Sequence, residues 1–107
     1  KKMTIVVVWK WVVKPEKRVE HDRMMEKYFK WLKANPIKEV KSIKIFTQTF
    51  GGIYGSYFEL LEFDSFADYE KVYARLLKDK EYMELLQGLT LVSEPAQLCI
   101  DVWNTVM

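Results

Sequence analysis

The sequence predicts an α+β domain of order β-α-β-β-α-β: a four-stranded antiparallel sheet with two helices on one face. Three observations predict it. "VVVWKWVVKP", Val6 to Pro15, is a β-branched and aromatic run closed by proline, the composition of a strand. Two later stretches place apolar residues at helical spacing behind an acidic or capping start. "GGIYG", Gly51 to Gly55, separates two short runs as a hairpin loop does.

The first strand runs from about Met3 to Val13. Pro15-Glu16 then opens a helix, with proline in the first turn and a carboxylate near the positive end of the dipole. Asn35-Pro36 stops it near Ala34, because the residue before proline avoids helical backbone. Met24, Met25, Tyr28, Trp31 and Leu32 share one face of this helix at 100° per residue, and His21 projects into the middle of that face. The second strand covers about Val40 to Phe50, with Ile43 and Ile45 alternating against Ser42, Lys44 and Gln48. The third covers Ser56 to Phe63. "SFAD" starts a second helix, with Ser65 as cap and Asp68 three residues on. Phe66, Tyr69, Val72, Tyr73, Leu76 and Leu77 form its stripe. Asp79 recaps a short segment, Lys80 to Gln87, and Gly88 is expected to end it as a left-handed residue. Pro95 precedes the last strand, about Gln97 to Val106.

A chain of 107 residues suits one domain, 1–107. Half of the residues are hydrophobic, which supports a packed core, and the net charge of +2 without a polybasic block argues against a nucleic-acid partner. "MTIVVVWKWVV" is too short to cross a bilayer and carries a lysine, so no membrane span is expected. Cys99 is the only cysteine, which rules out an intramolecular disulfide and suits a reducing cytoplasm. Few amides beside many Lys and Glu lean towards a thermophilic source.

Both alternate sets of the first strand are apolar. Val6, Val8 and Val12 point one way, interrupted by Lys10, and Val7, Trp9, Trp11 and Val13 point the other. Two helices cover one face only. The uncovered face of four six-residue strands exposes on the order of 400 Å². Its expected cover is a second copy, packed sheet to sheet about a two-fold axis.

The element order, "VVVWKWVVKPEKRVEH" and "LLEFDSFADYEKVYARLLKDKEYMELLQ" resemble the dimeric α+β barrel proteins. That group includes antibiotic-biosynthesis-type monooxygenases, stress-responsive A/B barrel proteins and muconolactone isomerases. The resemblance spans nearly the whole chain and implies a ferredoxin-like fold and a homodimer. It implies a cofactor-independent oxygenase or isomerase where the protein is an enzyme, and a non-catalytic assembly or ligand-sensing module where it is not. The haem-degrading branch of the group carries a histidine on the second helix, and this chain has none there.

Trp9, Trp11, Tyr28 and Trp31, with His21, are the candidate lining of a cleft between sheet and helix for a small apolar or aromatic compound. Ordinary core packing explains the same aromatics. His21 is the candidate base, since burial and a helix N-terminus favour neutral imidazole. The plain alternative is a half-buried histidine with a backbone or water partner. Glu59, Glu62 and Asp101 lie on strands, where carboxylates are uncommon. They are candidates for an acid–base pair of raised pKa. The plainer expectation is pairing with Lys10 or Lys44 across the sheet or the dimer. Glu59 and Glu62 point to opposite faces and cannot act together. Cys99 has no base near it in sequence. One histidine and one cysteine argue against a metal site, and no phosphate or dinucleotide fingerprint suggests a cofactor.

Overall fold

The computed structural model describes residues 4–106. β1 (Ile5–Val12) passes through a 3₁₀ turn (Pro15–Lys17) into α1 (Arg18–Ala34). β2 (Val40–Thr47) and β3 (Ser56–Phe63) form a hairpin. α2 (Phe66–Leu76) and α3 (Lys80–Val92) follow, and a second 3₁₀ turn (Pro95–Gln97) precedes β4 (Cys99–Asn104). The sheet is antiparallel throughout, in the order β2-β3-β1-β4.

That order explains the doubly apolar first strand. β1 is bonded to β3 on one side and β4 on the other. Ile5, Val7, Trp9, Trp11 and Val13 point to the helices and join Met25, Leu61, Phe63 and Val72 in the core. Val6, Val8, Lys10 and Val12 lie on the opposite face, in register with Glu62, Leu60, Phe58 and Ser56 of β3. The helices stop short of β4, where Ile100 and Val102 remain exposed although they share the helix-side face with Trp9 and Val7.

The caps form as expected. Ser65 Oγ accepts from the Asp68 amide at 3.1 Å, and Asp79 Oδ1 accepts from the Tyr82 amide at 2.9 Å. Gly51, Gly52 and Gly55 take φ of 83°, 59° and 86°, backbone that a side chain resists, and this builds the β2–β3 loop.

The boundaries differ in four places. α3 does not end at Gly88 but continues to Val92. A Cβ at Gly88 would lie 3.3 Å from Met24 Sδ, so the missing side chain serves close packing on α1 rather than a helix end. β2 stops at Thr47 because its pairing with Tyr57 is the last before the glycine loop. β4 spans Cys99–Asn104, shorter than Gln97 to Val106, because Pro95–Gln97 turns as a 3₁₀ helix. β1 ends at Val12, and Val13 makes only an isolated bridge to Ser93. Met3, expected in this strand, lies outside the described residues.

Candidate functional site between the sheet and the helices

Among the described residues, Glu59 is the one buried carboxylate inside the hydrophobic layer. The alternation of β3 places Tyr57, Glu59, Leu61 and Phe63 on the helix side, while Phe58, Leu60 and Glu62 face away. Its strand neighbours are Trp9 of β1 and Ile45 of β2. The expected lysine partner is not there: Glu59 Oε2 instead accepts a 2.6 Å hydrogen bond from the Tyr28 hydroxyl of α1. The reason is geometric, because Lys10 and Lys44 both project from the other face of the sheet. Burial raises the Glu59 pKa to about 7, outweighing the Tyr28 bond, which stabilises the ionised form. Burial and the Glu59 charge push the Tyr28 and Tyr82 hydroxyls above the usual phenol range.

Two small cavities flank this carboxyl, and both touch Trp9, Tyr28, Glu59 and Tyr82. The first, about 40 Å³, is flanked by Trp11, Met24 and Met25 on one side and Leu85, Leu86 and Leu89 of α3 on the other. Apart from Tyr28, Glu59 and Tyr82, its lining side chains carry no oxygen. The second, about 30 Å³, extends towards α2 and adds Tyr69, Tyr73, Val72 and Phe63. No lysine, arginine or histidine lines either one.

His21 lines neither cavity and is fully buried. Its Nε2 accepts from Trp11 Nε1 at 3.1 Å. The indole nitrogen can only donate, so Nε2 is unprotonated and Nδ1 carries the proton towards Asp22 Oδ1, 3.1 Å away. Burial lowers the pKa of His21, and the Asp22 bond partly opposes this. Tyr57 packs on both partners: its ring lies parallel to Trp11 at 5.8 Å and 4.6 Å from the imidazole. Both ring nitrogens of His21 are engaged, Nδ1 with Asp22 and Nε2 with Trp11, which in turn walls the first cavity.

Of the aromatics expected to gather, Trp9, Trp11 and Tyr28 meet at the first cavity. Trp31 stands one turn further along α1, stacked on Tyr28 at 6.4 Å and packed on Tyr82 at 5.4 Å. Sequence reasoning missed Tyr82. The Asp79 cap was the available signal, since it fixes the first turn of α3 and sets Tyr82 facing the sheet. On the open face Lys10 meets Asp101 at 3.5 Å, with both side chains about half exposed. Among the described residues no three His, Cys, Asp or Glu side chains gather to hold a metal ion. No helix among them is long and apolar enough to cross a membrane.

No family profile and no curated protein matches this sequence. Solved structures do match the fold. A NIPSNAP family protein of Agrobacterium tumefaciens superimposes with a TM-score of 0.72 at 12% identity, over 97% of this chain and 85% of that one. A Caulobacter crescentus protein provisionally described as an antibiotic biosynthesis monooxygenase gives 0.74 at 16% identity, over 99% and 92%. The chain has their ferredoxin-like fold. A Bacteroides fragilis protein of unknown function, described as dimeric and ferredoxin-like, gives 0.63 at 16% identity, over 98% and 96%. The ferredoxin-like sheet leaves one face without helices in this chain. At these identities the likeness speaks to architecture, and chemistry has to be argued from Glu59 and its surroundings.

Proposed function

We propose that this single-domain protein is a cytoplasmic homodimer that binds a small apolar or aromatic compound between its sheet and helices and moves a proton on it. Glu59 carries this reading. A buried carboxyl without a cation costs stability at neutral pH, whereas an apolar residue at the same place would not. Such groups concentrate at sites of proton transfer. With a pKa of about 7, Glu59 is divided between acid and base near neutrality, the condition that suits general acid–base catalysis.

The chemistry is proton abstraction next to a carbonyl or phenol. The ionised Glu59 takes a proton from the compound's carbon, and the bonding electrons move onto the carbonyl oxygen. The Tyr82 hydroxyl donates to that oxygen while Tyr28 holds Glu59. Return of the proton to a second carbon completes an isomerisation without a cofactor. The same first step can precede oxygenation, and the Caulobacter protein of similar fold is provisionally described as an antibiotic biosynthesis monooxygenase. His21 and Trp31 act as supports, the first on Trp11 and the second on Tyr28.

Entry of a compound requires movement. A cavity of about 40 Å³ is far below the roughly 300 Å³ of an ordinary ligand site. Met24, Met25, Leu85 and Leu86 are flexible enough to give way. The small volume of this cavity favours the second reading, a non-catalytic module. A thermal-shift screen with phenols, quinones, aromatic acids and haem separates the two. The proton-transfer reading expects at least one neutral aromatic to raise the melting temperature, with a pH dependence lost in Glu59→Gln. Stabilisation by none of them leaves the assembly module.

The homodimer rests on the open sheet face. Phe46 and Phe58 stack there at 4.7 Å with substantial exposure, beside Leu60, Val6 and the exposed Trp103. An apolar face of this kind fits a second copy of itself. Sedimentation at micromolar concentration should show a dimer, and a stable monomer there overturns the assembly.

A further inference from the structure

We propose that the second cavity is the proton entrance of Glu59: a hydrated chamber in which the hydroxyls of Tyr82, Tyr73 and Tyr69 pass protons between the buried carboxyl and solvent. The inference rests on Glu59 acting as an acid–base group, and it gives that group the route it needs. An isomerisation hands its proton back to the compound. A buried carboxyl nevertheless reaches its ionised starting form, and regains it after an incomplete turnover, only if protons exchange with solvent. The first cavity offers fewer relay groups, since beyond Tyr28, Glu59 and Tyr82 it is walled by tryptophan, methionine and leucine, whereas the second adds the hydroxyls of Tyr69 and Tyr73.

Size decides what the second cavity holds. About 30 Å³ exceeds the roughly 10–15 Å³ that one water requires. It is far too small for an aromatic ring, which needs on the order of 150 Å³. A buried water also needs two to four polar partners. The lining supplies Glu59, Tyr28, Tyr82, Tyr73 and Tyr69.

The same groups form a connected series. Glu59, Tyr82, Tyr73 and Tyr69 all line the one chamber, so a water within it can bridge their hydroxyls. Tyr69 and Tyr73 sit one helical turn apart on α2, with rings stacked at 5.8 Å. Both are half-buried, while Glu59 is buried, so the series leads outward. The groups facing Glu59 are Tyr28 from α1, Tyr82 from α3, Tyr73 and Tyr69 from α2, and the uncharged Trp9 and Ile45 from the neighbouring strands. No competing charge lies on the path. A hydroxyl relays by donating one proton while accepting another from a water, so no tyrosine has to ionise.

The test is a pH jump from 5 to 8 followed by infrared spectroscopy, reading the protonated-carboxyl band that Glu59→Gln removes. This readout needs no substrate, so it can fail while turnover persists, and turnover can be absent while it succeeds. Glu59 in the wild type should equilibrate at least tenfold faster than in Tyr73→Phe/Tyr82→Phe, with its titration midpoint moved little. Tyr54→Phe, on the exposed β2–β3 loop, should leave the rate unchanged. Equal rates in wild type and double variant overturn the relay. Should the double variant not fold, a neutron or high-resolution crystal structure of the wild type decides: ordered water bonded to Glu59 and Tyr82 supports the chamber, and a dry cavity overturns it.

Discussion

Glu59 lies directly across from Trp9 in the β1–β3 ladder, with both side chains on the helix-facing side of the sheet. An ionisable group thus sits where the sheet is otherwise filled with aromatic and aliphatic side chains. Its raised pKa makes folding pH-dependent. Folding favours the protonated carboxyl, so the full stability is present below the unfolded pKa of about 4.5 and is lost as pH rises towards about 7. The loss amounts to about 3 kcal/mol across that window. Glu59→Gln should match the wild type near pH 4.5 and exceed it by a similar amount at pH 8. The difference between calorimetric melting curves, taken across pH, isolates this group. A difference that does not change with pH contradicts the burial of the charge.

His21 should behave with the opposite sign. Its folded pKa is lowered, so its contribution is complete above about 6.5 and falls as pH drops below that value. Protonating Nε2 would set two donors against each other at Trp11 Nε1. His21→Ala should cost about 3 kcal/mol through a cavity and an unpartnered indole N–H. His21→Gln, which keeps an acceptor, should cost less. Urea unfolding at pH 7 checks both, and equal losses would mean the Trp11 bond contributes nothing.

At Gly88 the helices α1 and α3 are set by what is missing. Gly88→Leu should push α3 off Met24 and destabilise by about 1–3 kcal/mol, the usual cost of overpacking. It should also widen the cavity at Glu59, because Leu85, Leu86 and Leu89 ride on the same helix. Dye binding and a melting curve together read the two effects.

The Lys10–Asp101 pair provides a test of assembly. As an exposed pair it contributes under about 1 kcal/mol. Inside a sheet-to-sheet dimer the same pair is buried, and Lys10→Met would leave Asp101 charged without a partner at a cost of roughly 3 kcal/mol. The variant should therefore dissociate at much higher concentration than the wild type in sedimentation. Unchanged dissociation places Lys10 in solvent.

The elements were legible because local chemistry and tertiary packing agree in them. Ser65 and Asp79 cap where their side chains suggested, and the glycine-rich stretch turns with φ above zero. The orientation of β1 followed from Trp9 and Trp11 sharing a face with Tyr28 of the helix. Gly88 misled, because a glycine that ends a helix and one that admits a neighbouring helix look alike in sequence. Glu59 was visible as a strand carboxylate, but its partner was not. Which residue meets Glu59 depends on the face of β3 and the rotation of α1, and neither is local. A cleft beside Trp9, Trp11 and Tyr28 was legible, but its small size and the second cavity were not, since they arise from how imperfectly four elements fill the space between them.

The central place of β1 carries a cost during synthesis. Its ladder partners β3 and β4 are translated roughly fifty and ninety residues later. Until then "VVVWKWVV" waits as a nascent strand with both edges unbonded and both faces apolar, the composition that drives chains to stick to one another. Lys10 is the only charge within it. Beyond any role beside Asp101, that lysine is a gatekeeper against aggregation, and its replacement should lower the yield of soluble protein from cells even where the folded protein tolerates the change.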